Sequence, residues 1–163
     1  MGIRYPLMFD NDVFVDSVNI AKLHVFAACL SDLTIHAVAH ALPDETLEDA
    51  VRRKIALDCF KAGLADNSDQ FVEAFAMGEA VSEFVRRLDE TDWRFGAKQR
   101  ENFTRSPRAL MRWAPIAPEL KRFDEEIVEN SIRFAWRDVR VQLQKRLVAT
   151  AVVEELRTRG DGA

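Results

Sequence analysis

Three side chains spaced one helical turn apart, Asp32, His36 and His40, form the group in this sequence that comes nearest to a metal site. Residues four apart share one face of a helix, so a carboxylate and two imidazoles could hold a metal ion there. Such sites take further ligands from neighbouring helices, and only His24 remains as a histidine donor. We favour the alternative, in which Asp32 orients a partly buried His36 by a hydrogen bond. The prediction is therefore that the protein has no metal and no cofactor.

A second group, between positions 93 and 122, combines arginines with tryptophans and phenylalanines. Guanidinium groups and aromatic faces together suit contact with phosphate, a nucleotide base or an acidic protein surface. No glycine-rich phosphate loop or helix-turn-helix pattern accompanies them, and the chain has a net charge of −4, whereas dedicated nucleic-acid domains are usually strongly basic. A nucleic-acid or nucleotide binder is thus only an alternative hypothesis. The candidate anion-binding residues are Arg100, Arg105, Arg108, Arg112 and Trp113.

The distribution of charge offers a simpler role for these cations. The first 93 residues hold 17 acidic and 8 basic side chains, whereas the remaining 70 hold 10 and 15. The basic segment can therefore face the acidic part of the same chain or of a second copy. A histidine beside a carboxylate could act as a general base, but no nucleophile or oxyanion site accompanies it. The sequence favours a protein that is not an enzyme, and no catalytic residue is assigned.

Helices must position all of these residues, because no alternating strand pattern occurs and only six glycines and five prolines interrupt the chain. The sequence predicts an all-α, single-domain bundle of about five helices over residues 1–163, with frayed or disordered ends near 1–10 and 160–163. The first helix is expected from about Asp12 to Leu42. Its most apolar window contains three histidines and Asp32, so we interpret it as the core helix of a cytoplasmic protein and not as a membrane span.

The second predicted helix begins near Pro43 and ends at Gly63, where a glycine can adopt the left-handed conformation that closes many helices. Its apolar residues recur every four positions and are expected to face the core. They are Leu47, Val51, Ile55 and Cys59.

The last predicted helix runs from Glu119 to Arg159, a stretch without proline or glycine. At 100° per residue its apolar side chains fall on two stripes. The first stripe consists of Leu120, Phe123, Ile127, Phe134, Val141, Val148 and Val152. The second stripe consists of Val128, Ile132, Trp136, Val139, Leu143 and Leu147.

The functional prediction is based on the length of this last helix. A straight helix of ~40 residues is ~60 Å long, whereas a domain of this size has a radius of gyration of about 15 Å, so the helix must overhang or kink. An overhanging helix leaves one stripe for a partner, and self-association as a dimer covers it most economically; the alternative is that the chain's own helices cover both stripes. The predicted function is that of a non-enzymatic adaptor, regulator or assembly component. Its predicted partner-binding residues are Trp136, Val139, Leu143 and Leu147, together with the basic segment.

Overall fold

The computed structural model describes residues 10–43, 47–70, 74–93, 103–115 and 118–160. Within these ranges the chain forms six α-helices and no strand, which confirms the all-α class. The predicted frayed ends lie almost wholly outside the described residues. The helices are α1 (Asp12–Ala41), α2 (Asp49–Ala65), α3 (Ala74–Asp89), α4 (Arg105–Trp113), α5 (Pro118–Arg146) and α6 (Ala149–Gly160), with a short 3-10 turn at Ser68–Gln70.

Helix α1 is the longest described helix and packs against α2, α3, α4 and α6. Asn11 caps its N-terminus, because its side-chain oxygen accepts a hydrogen bond of 3.2 Å from the Phe14 backbone N–H. The second half of α1 is mostly buried, whereas Val13 and Ile20 in the first half are exposed. By length and composition α1 could also cross a membrane: an 18-residue window has a mean hydropathy of 1.5, and 11% of it is buried. Core helices of soluble proteins meet the same criterion, and the cytoplasmic location stays a prediction.

The hydrophobic core lies where the second half of α1 meets α2 and α3. Phe60 of α2 and Phe84 of α3 stack with ring centroids 4.1 Å apart, and both are almost fully buried. The buried stripe of α2 consists of Arg52, Ala56, Phe60 and Leu64. It is shifted by one position from the predicted stripe, in which Val51 and Cys59 are exposed. The core selects the face that carries Phe60, because that ring buries more apolar area than any side chain on the predicted face.

Gly63 does not end α2, so the predicted glycine cap is wrong. The helix continues to Ala65, and no described glycine has a positive φ. A Cβ atom at Gly63 would lie 2.9 Å from the Leu30 Cδ1 atom, closer than ordinary packing permits. Gly63 therefore leaves room for the side chain of Leu30 between α1 and α2.

The prediction of one continuous C-terminal helix is wrong. The chain is divided at Leu147 and Val148 into α5 and α6. Val148 starts the new helix, because its carbonyl accepts hydrogen bonds from the N–H groups of Ala151 and Val152. The break directs α6 back onto α1, where Leu147, Val152 and Val153 pack against the core. Burial of these side chains compensates for the interrupted helix, since an unbroken rod would carry them past the edge of the bundle.

Candidate functional site

A buried polar network joins four helices around Asp32 of α1, whose side chain is fully buried. The Asp32 Oδ2 atom accepts hydrogen bonds from the backbone N–H and the hydroxyl of Ser106, at 2.8 and 2.7 Å. Its Oδ1 atom lies 2.7 Å from Arg87 Nη1, and Arg87 also donates to Ser31 Oγ at 2.6 Å. The indole N–H of Trp136 donates to Ser106 Oγ at 2.8 Å. We call Ser31, Asp32, Arg87, Ser106 and Trp136 the Asp32 network.

Asp32 also serves as a remote cap for α4. The residue before this helix, Thr104, makes no capping hydrogen bond with its side chain. The Asp32 carboxylate satisfies a free N–H group in the first turn instead, and its negative charge is favourable at the positive end of the helix dipole. Burial lowers the pKa of the Arg87 guanidinium, and the neighbouring carboxylate of Asp32 acts in the opposite direction. The arrangement is a desolvated ion pair with a structural role.

His36 takes no part in this network, although it follows Asp32 by one turn. Neither ring nitrogen has a hydrogen-bond partner among the described residues, and the ring lies 5.1 Å from that of Phe103. Burial, with smaller contributions from Arg140 and His40, lowers the pKa of His36 to about 4, so the ring is neutral at neutral pH. The interpretation that Asp32 orients His36 is wrong, because both oxygens of Asp32 are engaged elsewhere. Over the described ranges no three His, Cys, Asp or Glu side chains are grouped to hold a metal.

The second stripe of the last predicted helix, which was expected to face a partner, lies mostly against the chain itself. Trp136, the largest residue of the second stripe, is only 8% exposed and packs against Phe103 with ring centroids 4.7 Å apart. Leu143 is half-buried, Leu147 packs against the core, and Val139 lies at the exposed edge. The predicted partner-binding residues therefore largely contact the chain itself. Four residues of the first stripe are exposed instead, namely Ile127, Phe134, Val141 and Val148, whereas Val152 packs against the core.

The predicted anion-binding residues of α4 come together at one cavity of about 360 Å³ between α1, α3 and α4. Arg105, Arg108, Arg112 and Trp113 line it, while Arg100 lies outside the described residues. Arg105 pairs with Glu90 at 3.3 Å, so one of these cations does face the acidic part of the chain. The cavity also has acidic and aromatic lining residues outside the predicted anion-binding group: Glu79, Glu83 and His24.

Sequence reasoning missed the partners of Asp32, because they lie 55 and 74 positions away along the chain. One signal was available for Arg87. It lies on the face of α3 that also carries Phe84 and Leu88, and a charged side chain on an apolar face usually has an ionic partner. A comparable signal for Glu79 and Glu83 is their spacing of four, which places two carboxylates on one face of α3.

No protein-family model, curated protein or solved structure matches this chain.

Proposed function

We propose that this protein is a non-enzymatic interaction protein that pairs with a second copy of itself through the exposed residues of the first stripe. The observation that supports this is the spacing of four large apolar side chains, each between 44 and 65% exposed. They recur at every seventh position, as Ile127, Phe134, Val141 and Val148.

Seven residues are close to two helical turns, and successive members of such a series drift by only ~20° around the helix. Ile127, Phe134 and Val141 therefore form a narrow apolar ridge along α5, and Val148 lies just beyond its end, at the break before α6. Helix α5 packs mainly against α4 through the opposite side, where Trp136 is buried. Isolated exposed apolar residues are ordinary, whereas a continuous ridge on a long helix is typical of a helix–helix interface.

Charge favours a second copy of α5 as the occupant of this ridge and favours the antiparallel direction. The beginning of α5 is acidic, with Glu125, Glu126 and Glu129, whereas its end is basic, with Lys145 and Arg146. An antiparallel pair places each acidic beginning against a basic end, whereas a parallel pair places like charges together.

The register follows from the spacing of the ridge. With Phe134 opposite the partner's Val141, the two central residues of the ridge are matched in both copies, and Ile127 lies near the C-terminal end of the partner's α5, which Val148 follows. Arg137 then lies opposite the partner's Asp138, and Glu129 lies opposite the partner's Arg146. Arg137 and Asp138 are both well exposed, and the ion pair that they form within one chain is long, at 3.6 Å. Both side chains are therefore available for pairing across the interface.

Replacing Phe134 with glutamate should weaken the dimer about tenfold or more, because it buries a charge in the middle of the ridge. Light scattering and sedimentation equilibrium over the micromolar range measure this change. The matched control is Val51→Glu, which introduces the same charge at an exposed apolar position of α2 and should leave the dimer intact. A wild-type protein that is monomeric throughout this range would refute the proposal.

The antiparallel register has a separate test. Asp138→Arg should weaken the dimer, because two arginines then meet at the centre of the interface. The double variant Arg137→Glu/Asp138→Arg should restore it, since the exchanged charges again lie opposite each other. A double variant that is as weak as the single one would contradict the antiparallel arrangement while leaving self-association itself in place.

A further inference from the structure

The cavity between α1, α3 and α4 has opposed walls and an apolar floor. Its volume of about 360 Å³ lies at the small end of the range for small-molecule sites, ~300–1,000 Å³. Helix α3 contributes the carboxylates of Glu79 and Glu83, and α4 contributes three guanidinium groups. The floor consists of Leu23, Ala27, Phe60, Ala80 and Phe84. We call this space the charged cavity.

The charges on the two walls do not neutralise each other. In the described part of the chain Glu79 and Glu83 form no ion pair, and Arg108 forms none either. Arg105 is held by Glu90, and the guanidinium of Arg112 lies 5.3 Å from the ring centre of Trp113. The cavity thus presents two free carboxylates on one side, with Arg108 and Arg112 on the other.

The lining of the cavity includes a pair of stacked aromatic rings. His24 of α1 and Trp113 of α4 are stacked almost parallel, with ring centroids 3.6 Å apart and an angle of 4°. Burial lowers the pKa of His24, against the opposing influence of Glu79 and Glu83, so the imidazole takes up a proton less readily than a free histidine. The pair forms a flat aromatic surface next to the arginines.

We propose that the charged cavity binds a small zwitterion of the aromatic amino-acid class. Its amino group is held by Glu79 and Glu83, its carboxylate by Arg108 and Arg112, and its apolar body lies on the floor near Trp113. Ammonium–carboxylate and guanidinium–carboxylate contacts are charge-assisted hydrogen bonds, which are shorter and stronger than hydrogen bonds between neutral groups. The site is separate from the exposed ridge of α5, so it does not depend on self-association.

Both signs of charge in the cavity are needed to select this ligand class. A nucleotide or an inorganic phosphate would meet Arg108 and Arg112, but its negative charge would be repelled by Glu79 and Glu83. A simple amine would satisfy the carboxylates and leave the guanidinium groups unpaired. Only a molecule with both groups balances both walls.

The experiment compares three probes by isothermal titration calorimetry on the full chain at low ionic strength. L-phenylalanine carries both charged groups, 3-phenylpropionate lacks the amino group, and 2-phenylethylamine lacks the carboxylate. We expect L-phenylalanine to bind, and each analogue to bind about tenfold more weakly or worse, the loss that accompanies one charge-assisted contact. Absence of L-phenylalanine binding at millimolar concentration, or equal binding of 3-phenylpropionate, would overturn the proposal.

Two variants test which wall of the cavity binds the amino group and which binds the carboxylate. Glu83→Gln should weaken L-phenylalanine but not 3-phenylpropionate, whereas Arg108→Gln should weaken L-phenylalanine but not 2-phenylethylamine. Arg86→Gln is the matched control, since Arg86 is an exposed arginine of α3 that does not line the cavity. Equal loss of all probes in both wall variants would indicate a damaged fold and not a lost contact, and would contradict this assignment of the walls.

Discussion

Replacing Asp32 with alanine should lower the free energy of unfolding by about 3–5 kcal/mol, the range observed when one partner of a buried ion pair is removed. The substitution leaves the Arg87 guanidinium without its carboxylate in a buried position. It also leaves the N–H group of Ser106 without an acceptor at the start of α4. Urea denaturation followed by circular dichroism measures the change.

The matched control for Asp32→Ala is Asp89→Ala. Asp89 also pairs with an arginine, Arg53, but at the surface, where such pairs contribute about 1 kcal/mol or less. A loss for Asp32→Ala as small as that of the control would contradict the structural role of the Asp32 network. If Asp32→Ala does not fold, Asp32→Asn provides the measurement, because it keeps an acceptor for Ser106 and removes only the charge.

A double variant separates the ion pair from the rest of the network. Asp32→Leu/Arg87→Met removes both charges and should be less destabilised than Asp32→Leu alone, since no unpaired charge then remains buried. A double variant at least as unstable as the single one would show that the hydrogen bonds to Ser106, and not the ion pair, dominate the contribution of Asp32.

The second large effect is a loss of stability on mild acidification, caused by His36. Its ring is 3% exposed, and its pKa is about 4 in the folded protein against an ordinary value of 6.5. The folded state therefore favours the neutral ring. Above pH 6.5 the ring is neutral in both states; as the pH falls towards 4, the unfolded chain takes up a proton that the folded chain does not. This difference destabilises the fold by up to about 3 kcal/mol below the folded-state pKa.

Urea denaturation at a series of pH values tests this effect as a difference between variants, because carboxylates titrate in the same acidic range. His36→Leu should be less sensitive to pH between 6.5 and 4 than the wild type. Ile35→Leu, at a neighbouring buried position of α1 that carries no titratable group, is the control and should retain the wild-type dependence. Parallel pH profiles for the wild type and His36→Leu would exclude His36 as the source.

The sequence predicted the helical class correctly because that property is local. The lack of alternating apolar residues and the scarcity of glycine and proline are visible in any short window. The approximate position of α1 follows from the same information: the predicted start at Asp12 is confirmed, and the helix ends at Ala41, one residue before the predicted end.

Apolar stripes were located less well, because periodicity shows which residues share a face but not which face turns inward. On the last predicted helix the inward face was decided by Trp136, whose indole N–H meets the hydroxyl of Ser106, 30 positions earlier in the chain. On α2 it was decided by Phe60, which stacks on Phe84. The proposed partner surface is accordingly centred on Phe134, two positions before Trp136 on the same helix.

What the amino-acid sequence determined by itself is the helical class and the residue types available for chemistry. Only the tertiary structure decided their partners: Asp32 meets Arg87 and Ser106 and not His36, while Arg108 and Glu83 come to line one cavity. The physical reason is that helix formation depends on interactions within about four residues, whereas pairing between helices depends on packing that brings distant positions together.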